Sequence, residues 1–114
     1  MRRLRKRLSR LDMDNRILGS LGLCAKAGRL ICGTPMIIEA MQKSKSLYLV
    51  LEAGDTSDNT HKKISDKCAF YGVERIRLDI DGAALARAVG KSSSLAAVGI
   101  TDESFYKMIS KHFD

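Results

Sequence analysis

"SLYLVLEAG", residues 46–54, is the stretch that decides the fold. Its apolar residues run unbroken from Leu47 to Leu51 instead of alternating with polar ones. A strand with one wet face alternates with period two, whereas a strand covered on both faces reads as a continuous apolar run. Tyr48 to Leu51 are therefore expected in a central strand with helices on either side. Toward the N-terminus, "ICGTPMIIEAMQKSK" (31–45) holds a helix start, with Thr34 as N-cap and Pro35 at the first helical position, turning Ile37, Ile38, Ala40 and Met41 inward. Before it, "RLIC" (29–32) is a short extended piece. Residues 15–27 place Ile17, Leu18, Leu21, Cys24 and Ala25 on one helical stripe that ends at Gly28. Toward the C-terminus, "DTSDNT" (55–60) reads as a cap-rich loop and "HKKISDKCAFYG" (61–72) as a helix ending at Gly72. "VERIRLDI" (73–80) is a more exposed strand, "DGAALARAVG" (81–90) a small-residue helix, "SLAAVGITD" (94–102) a buried strand and "ESFYKMISKHF" (103–113) a closing helix. Helices alternating with buried strands imply an α/β protein, a three-layer α/β/α sandwich with a small mixed four-stranded sheet.

The chain has 114 residues, 45% of them hydrophobic, enough for one domain with its own core. The three cysteines, Cys24, Cys32 and Cys68, form no C-x-x-C, and with two histidines they do not suggest a metal site. Reduced, largely buried thiols in a cytoplasmic protein are expected. No apolar run reaches membrane-spanning length, so no membrane partner is expected. Charge is unevenly spread. Residues 1–12 hold six of the 20 basic residues (Arg2, Arg3, Arg5, Lys6, Arg7 and Arg10) and one of the 13 acids, Asp12. That leaves 14 basic and 12 acidic residues, a net of +2, for the rest of a chain whose total is +7. Residues 1–13 therefore read as a basic extension ahead of a single domain, 14–114, with Met13 an alternative start. Such an extension attracts phosphate backbones without reading sequence.

Enzyme chemistry has little to stand on. Neither G-x-G-x-x-G after a strand nor G-x-x-x-x-G-K-[ST] occurs. Asp55 and Asp58 follow the buried strand, but Asp, Thr, Ser and Asn in succession are helix-capping residues. His61 and His112 stand among charged residues and are expected on the surface. A His61–Cys68 pair would be two helical turns apart, about 10 Å, too far for a hydrogen bond. No catalytic residue, metal ligand or cofactor is assigned. Two glycine-punctuated places remain. "CGTPM" (32–36) brings a residue without Cβ to a helix N-terminus with free N–H groups. In "VGKSSSLAAV" (89–98), Lys91, Ser92, Ser93 and Ser94 can bind phosphate or sugar, and Leu95 can pack on an unstacked base. Read alone, each is equally a cap or a turn with no ligand.

At these residues the chain resembles a family. "LGLCAKAGRLICGTPMIIEAMQKSKSLYLVLEAGDTSDNT" (21–60), "KCAFYGV" (67–73) and "AVGKSSSLAAV" (88–98) are similar to the kink-turn RNA-binding ribosomal proteins of the L-seven-Ae type, nearest their small bacterial YlxQ-like branch. The likeness covers about residues 15–110. It implies an α/β/α sandwich whose second helix points its N-terminus into the major groove of a sharply bent RNA, opened there by the bend. A second loop, before the last strand, would cover a flipped-out base. Carried over, the groove-entering residues are Gly33, Thr34, Pro35, Met36 and Glu39. The loop residues are Lys91, Ser92, Ser93, Ser94 and Leu95, with Ser57 near the bulged nucleotide and Arg29 retained.

The chain departs from the family pattern on that helix. Pro35 stands where members carry Asn or Lys, Met36 where they carry Glu or Gln, Glu39 where they carry Lys, and Cys32 where a basic residue precedes the glycine. The expected function is RNA binding, ribosomal or other structured RNA, kink-turn-like but with altered or weakened specificity. A monomer in a bacterial cytoplasm is expected, with a ribosome-associated protein as a further candidate partner. The alternative is a protein-interaction module of the same fold that has lost RNA, docking through apolar surface at Pro35, Met36, Ile37 and Ile38.

Overall fold

The computed structural model describes residues 10–113. In chain order it contains α1 (Arg10–Lys26), β1 (Leu30–Cys32), α2 (Thr34–Gln42), β2 (Leu49–Glu52), α3 (Asp58–Tyr71), β3 (Arg75–Arg77), α4 (Gly82–Ala88), β4 (Ala97–Ile100) and α5 (Glu103–Ser110), closed by a 3-10 turn, Lys111–Phe113. The strands form one mixed sheet in the order β1-β4-β2-β3. β4 runs antiparallel to both β1 and β2, and β2 pairs parallel with β3. Leu49 to Leu51 of the apolar run thus lie inside the sheet, where every residue of β2 and β4 is buried, whereas Tyr48, expected in the same strand, precedes it and is exposed.

Alternate residues of β2 serve two cores, which is why the run does not alternate. Leu49 and Leu51 face a core that includes Ile17 and Leu21 of α1, Leu85 of α4 and Ile109 of α5. Val50 faces the other, with Ile37 and Met41 of α2 and Ile64 and Cys68 of α3. The three-layer α/β/α sandwich follows from this division.

Several boundaries differ from the sequence reading. α1 starts at Arg10, so residues 10–13 of the expected extension are helical, with Asp12 in the first turn where a negative charge suits the helix dipole. The remainder of the basic extension, residues 1–9, lies outside the described residues. β4 starts only at Ala97, because Leu95 donates its N–H to the Gly82 carbonyl (3.1 Å) in place of a ladder bond. All three cysteines are free, Cys24 and Cys68 buried and Cys32 half-buried. Burial pushes the Cys24 thiol up to about 11, and it donates to the Arg29 carbonyl at 3.2 Å. Burial likewise raises Cys68.

The core makes a direct prediction. Leu51 is fully buried in the central strand. Leu51→Ala should lower the unfolding free energy by about 2–5 kcal/mol, read as a lower urea midpoint at unchanged slope.

Candidate nucleic-acid interface

Strand direction decides which loops can meet. β4 lies between β1 and β2 with Cys32 opposite Val98 and Glu52 opposite Ala97. Because both pairings are antiparallel, the last residues of β1 and β2 stand beside the first residues of β4. The turn into α2, the loop into α3 and the loop entering β4 therefore emerge at one end of the sheet. Two backbone bonds fasten them there, Gly33 N–H to the Ala97 carbonyl (3.0 Å) and Ala53 N–H to the Ala96 carbonyl (2.8 Å).

The α2 N-terminus is open. Its N-cap is Gly33, with φ 94 and ψ 144, a conformation that L side chains rarely adopt. This corrects the expectation that Thr34 caps the helix. The strained turn falls on the glycine, so Thr34 is already helical and Pro35 follows it. Ser57, Asp81 and Asp102 cap α3, α4 and α5 through side-chain oxygens, but no side chain caps α2. Pro35 has no N–H to leave unpaired. The Thr34 and Met36 amides belong to the first turn and have no helical acceptor, so an external acceptor would suit them.

The loop before β4 is held at both ends. Lys91 donates its N–H to the Ala86 carbonyl (2.8 Å), and Leu95 is tied to Gly82 as described above. Residues 91–94 between these ties are exposed. Asp55, expected to cap the helix that follows it, instead accepts from the Gly82 N–H at the start of α4 (2.9 Å). Gly82 has no room for a side chain. A Cβ there would strike the Ser94 hydroxyl and lie 2.6 Å from the Leu95 carbonyl oxygen.

The sequence-assigned residues come together in part. Gly33, Thr34 and Pro35 meet Ser94 and Leu95 around a shallow depression of about 390 Å³, with Thr60 and Lys63 of α3 completing the wall. Lys91 does not line the depression but stands exposed in the same loop, three residues before Ser94. Ser57 is spent as the α3 cap, accepting from the Thr60 N–H at 3.3 Å. Met36 is 55% exposed beside the depression without lining it. Glu39, one turn on, is paired with Lys43 at 2.9 Å, and that hydrogen bond holds its carboxyl below its ordinary pKa. Arg29 does not join the group. It precedes β1 at the opposite end of the sheet, where its carbonyl accepts from Thr101, about 13 Å of extended chain from Gly33. Ile37 and Ile38 are buried and cannot supply the exposed apolar surface expected of them, because they seat α2 on the sheet.

Sequence reasoning missed Thr60, Lys63 and a buried charge beside them. Glu52 is fully buried at the end of β2. Its carboxylate accepts from Arg75 Nη1 at 2.8 Å, lies 3.5 Å from Arg77 Nε, and shares a 2.7 Å hydrogen bond with His61 Nδ1. His61 is therefore half-buried, not a free surface residue. His112 is also half-buried, 3.3 Å from the Ser20 hydroxyl, and burial lowers its pKa. A usable signal existed: a carboxylate in a strand covered on both faces demands cationic partners, and Arg75 and Arg77 share one face of the neighbouring strand.

The Gly82 contact yields a local test. Gly82→Ala should displace Ser94 and Leu95, so amide exchange at Leu95 should quicken while the β2 amides keep their protection. Unchanged exchange at Leu95 would refute the account of a clamped loop.

Comparisons with known proteins agree on the lineage. Residues 15–110 match the model of the ribosomal protein L7Ae/L30e/S12e/Gadd45 family. The chain is 35% identical over 85 residues to the RNA-binding protein YlxQ of Bacillus subtilis (strain 168), covering 75% of this chain and 82% of that one. A second RNA-binding protein YlxQ, from Enterococcus faecium, is 34% identical over 87 residues, 76% of this chain and 81% of that one. Among solved structures, a protein of unknown function from Bacillus halodurans superposes with a TM-score of 0.77 at 29% identity, covering 87% of this chain and 97% of that one. The Giardia lamblia 15.5kD RNA binding protein gives a TM-score of 0.71 at 17% identity, over 88% and 83% of the two chains, a likeness of fold alone.

Proposed function

The chain belongs to the ribosomal protein L7Ae/L30e/S12e/Gadd45 family, in its YlxQ-like branch, and from that premise we propose that it binds structured RNA at the uncapped end of α2 and the loop 91–95. One observation carries the reading. An open helix N-terminus, a backbone-clamped serine-rich loop and two lysines, Lys63 and Lys91, converge at one end of the sheet. The α2 amides would donate to a phosphate or base oxygen, and Lys63 and Lys91 would neutralise backbone charge. Leu95, at the rim of the depression, would cover an unstacked base.

The preferred RNA is kink-turn-like, read with altered specificity. Pro35 and Met36 cannot make the bidentate contacts of Asn and Glu. Each such contact is worth about 1–3 kcal/mol of discrimination in duplex recognition. Glu39 places a negative charge one turn from the groove-facing end, only partly offset by Lys43. The protein would act as a monomer in the cytoplasm on ribosomal or other structured RNA, without catalysis. A protein-docking role for α2 retains only Pro35 and Met36 as exposed apolar residues, too small a patch to lead.

Binding measurements test this reading. Glu39→Lys should tighten binding to a kink-turn hairpin, because it removes a repelling charge and frees Lys43. Adding Met36→Glu and Pro35→Asn should enlarge the gain. A triple variant that binds the kink turn no better than an unkinked duplex of the same length would remove α2 as a reading element. The basic extension is tested separately. Deleting residues 1–9, which hold five of the basic residues, should flatten log K against log salt by about 0.9 per lost phosphate contact on duplex RNA. An unchanged slope would show that the extension does not touch RNA.

A further inference from the structure

The outer face of α3 carries an exposed feature that the α2 site does not use. Phe70 is 80% exposed, the most exposed large apolar side chain among the described residues. Tyr71 packs edge-on against it, with ring centroids 4.9 Å apart and planes at 83°. At 80% exposure, at least one face of the Phe70 ring remains open. Lys63, Lys67 and Phe70 follow at i, i+4 and i+7, so they share one helix face, about a third of a turn from the buried Ile64 and Cys68. With Asp66 they enclose a second shallow depression. Asp66 is itself paired with Lys62 at 2.9 Å, whereas no ion pair to Lys63 or Lys67 is found among the described residues. Lys63 also lines the first depression, so the two are continuous across one side chain.

We propose that this face of α3 is a second RNA-contacting surface, on which a single-stranded segment leaving the α2 site stacks a base on Phe70 and sets its phosphates against Lys63 and Lys67. The inference rests on the RNA-binding reading above and extends it from a bent duplex to an adjoining single strand. The chemistry favours RNA over an apolar partner. A lone aromatic ring flanked by two uncompensated lysines gives a π-face and backbone neutralisation, the two elements of sequence-tolerant single-strand binding. A hydrophobic protein partner would have to leave both ammonium groups unpaired or desolvate them. From Lys63 to Phe70 the stripe runs about 10 Å along the helix axis, in line with the depression at the α2 end.

The chain contains no tryptophan, so Phe70→Trp installs a single tryptophan at the stacking position, excited selectively over the three tyrosines. The full-length Phe70→Trp protein is titrated with a twelve-nucleotide oligoadenylate RNA, with tripolyphosphate, and with a kink-turn hairpin lacking single-stranded ends. The proposal expects oligoadenylate to quench the emission and tripolyphosphate, which has charge but no bases, to leave it unchanged. Phe70→Ala should bind oligoadenylate about tenfold more weakly, and Phe70→Trp should retain wild-type affinity. Lys63→Gln with Lys67→Gln should lower the single-strand salt slope by about 1.4. Unchanged emission at saturating oligoadenylate, equal quenching by tripolyphosphate, or a Phe70→Ala effect below twofold would overturn it. If the hairpin binds while Phe70→Ala leaves oligoadenylate binding intact, this inference fails and the α2 reading stands. If oligoadenylate quenches but the hairpin does not bind, the kink-turn reading fails and this one stands. If neither RNA binds, both are overturned, and Phe70 belongs to a protein contact.

Discussion

The candidate site depends on one constraint, the antiparallel insertion of β4 between β1 and β2. With Cys32 opposite Val98 and Glu52 opposite Ala97, the chain leaves two strands where it enters a third. Gly33, Lys63 and Leu95, dispersed over more than half the chain, become neighbours for that reason. The same constraint excludes Arg29, which sits at the far end of β1 beside Thr101. Had β4 run parallel to β1, the loop 91–96 would open at Arg29 and the α2 terminus would face bare solvent.

Glu52 stabilises the junction by a different route. Moving a carboxylate into a doubly covered strand costs several kcal/mol unless its oxygens are satisfied. Here Oε1 is engaged by Arg75, and Oε2 by His61 with Arg77 near it. Arg77 also donates to the Thr56 carbonyl at 3.2 Å, and the Thr56 hydroxyl donates to the Ala53 carbonyl at 2.6 Å. One buried charge thereby links β2, β3, the loop 53–57 and the first turn of α3. The net stabilisation from such a cluster is small. Its effect is positional: Thr60 precedes His61 and Lys63 follows two residues on, so the wall they form is set by the Glu52 contact.

The fold was legible in the sequence because its signals are local. An unbroken apolar run marks a strand covered on both faces, and Gly28 and Gly72 end helices in the left-handed conformation, as read. What stayed hidden needed tertiary knowledge. Thr-Pro mimics a cap followed by a first helical residue, and only the φ of Gly33 shows that the helix begins one residue earlier. His61 looks like a surface histidine among lysines because its partner lies nine residues back on another element. The two loops of the site were visible as glycine-punctuated segments, whereas Thr60 and Lys63 were hidden inside a helix with no distinguishing pattern. Arg29 could be excluded only once the direction of β1 was known.

The distribution of charge around the site gives the departures on α2 a coherent sense. Family members place a lysine one turn into this helix, where the chain has Glu39, tied to Lys43. The positive charge that flanks the depression comes instead from Lys63 on α3 and Lys91 in the clamped loop. On the RNA-binding reading, attraction for phosphate and discrimination among bases would thus be carried by different elements. Helix α2 would supply shape and two backbone donors, while α3 and the loop would supply charge. Electrostatic attraction acts over a Debye length of about 8 Å at physiological salt, which suffices for lysines at the rim to hold a backbone that α2 does not itself neutralise. On that reading a chain so arranged would lose base-reading side chains from α2 without losing its pull on RNA, and the body's modest net charge of +2 would suffice because Lys63 and Lys91 stand at the end of the sheet where three loops meet.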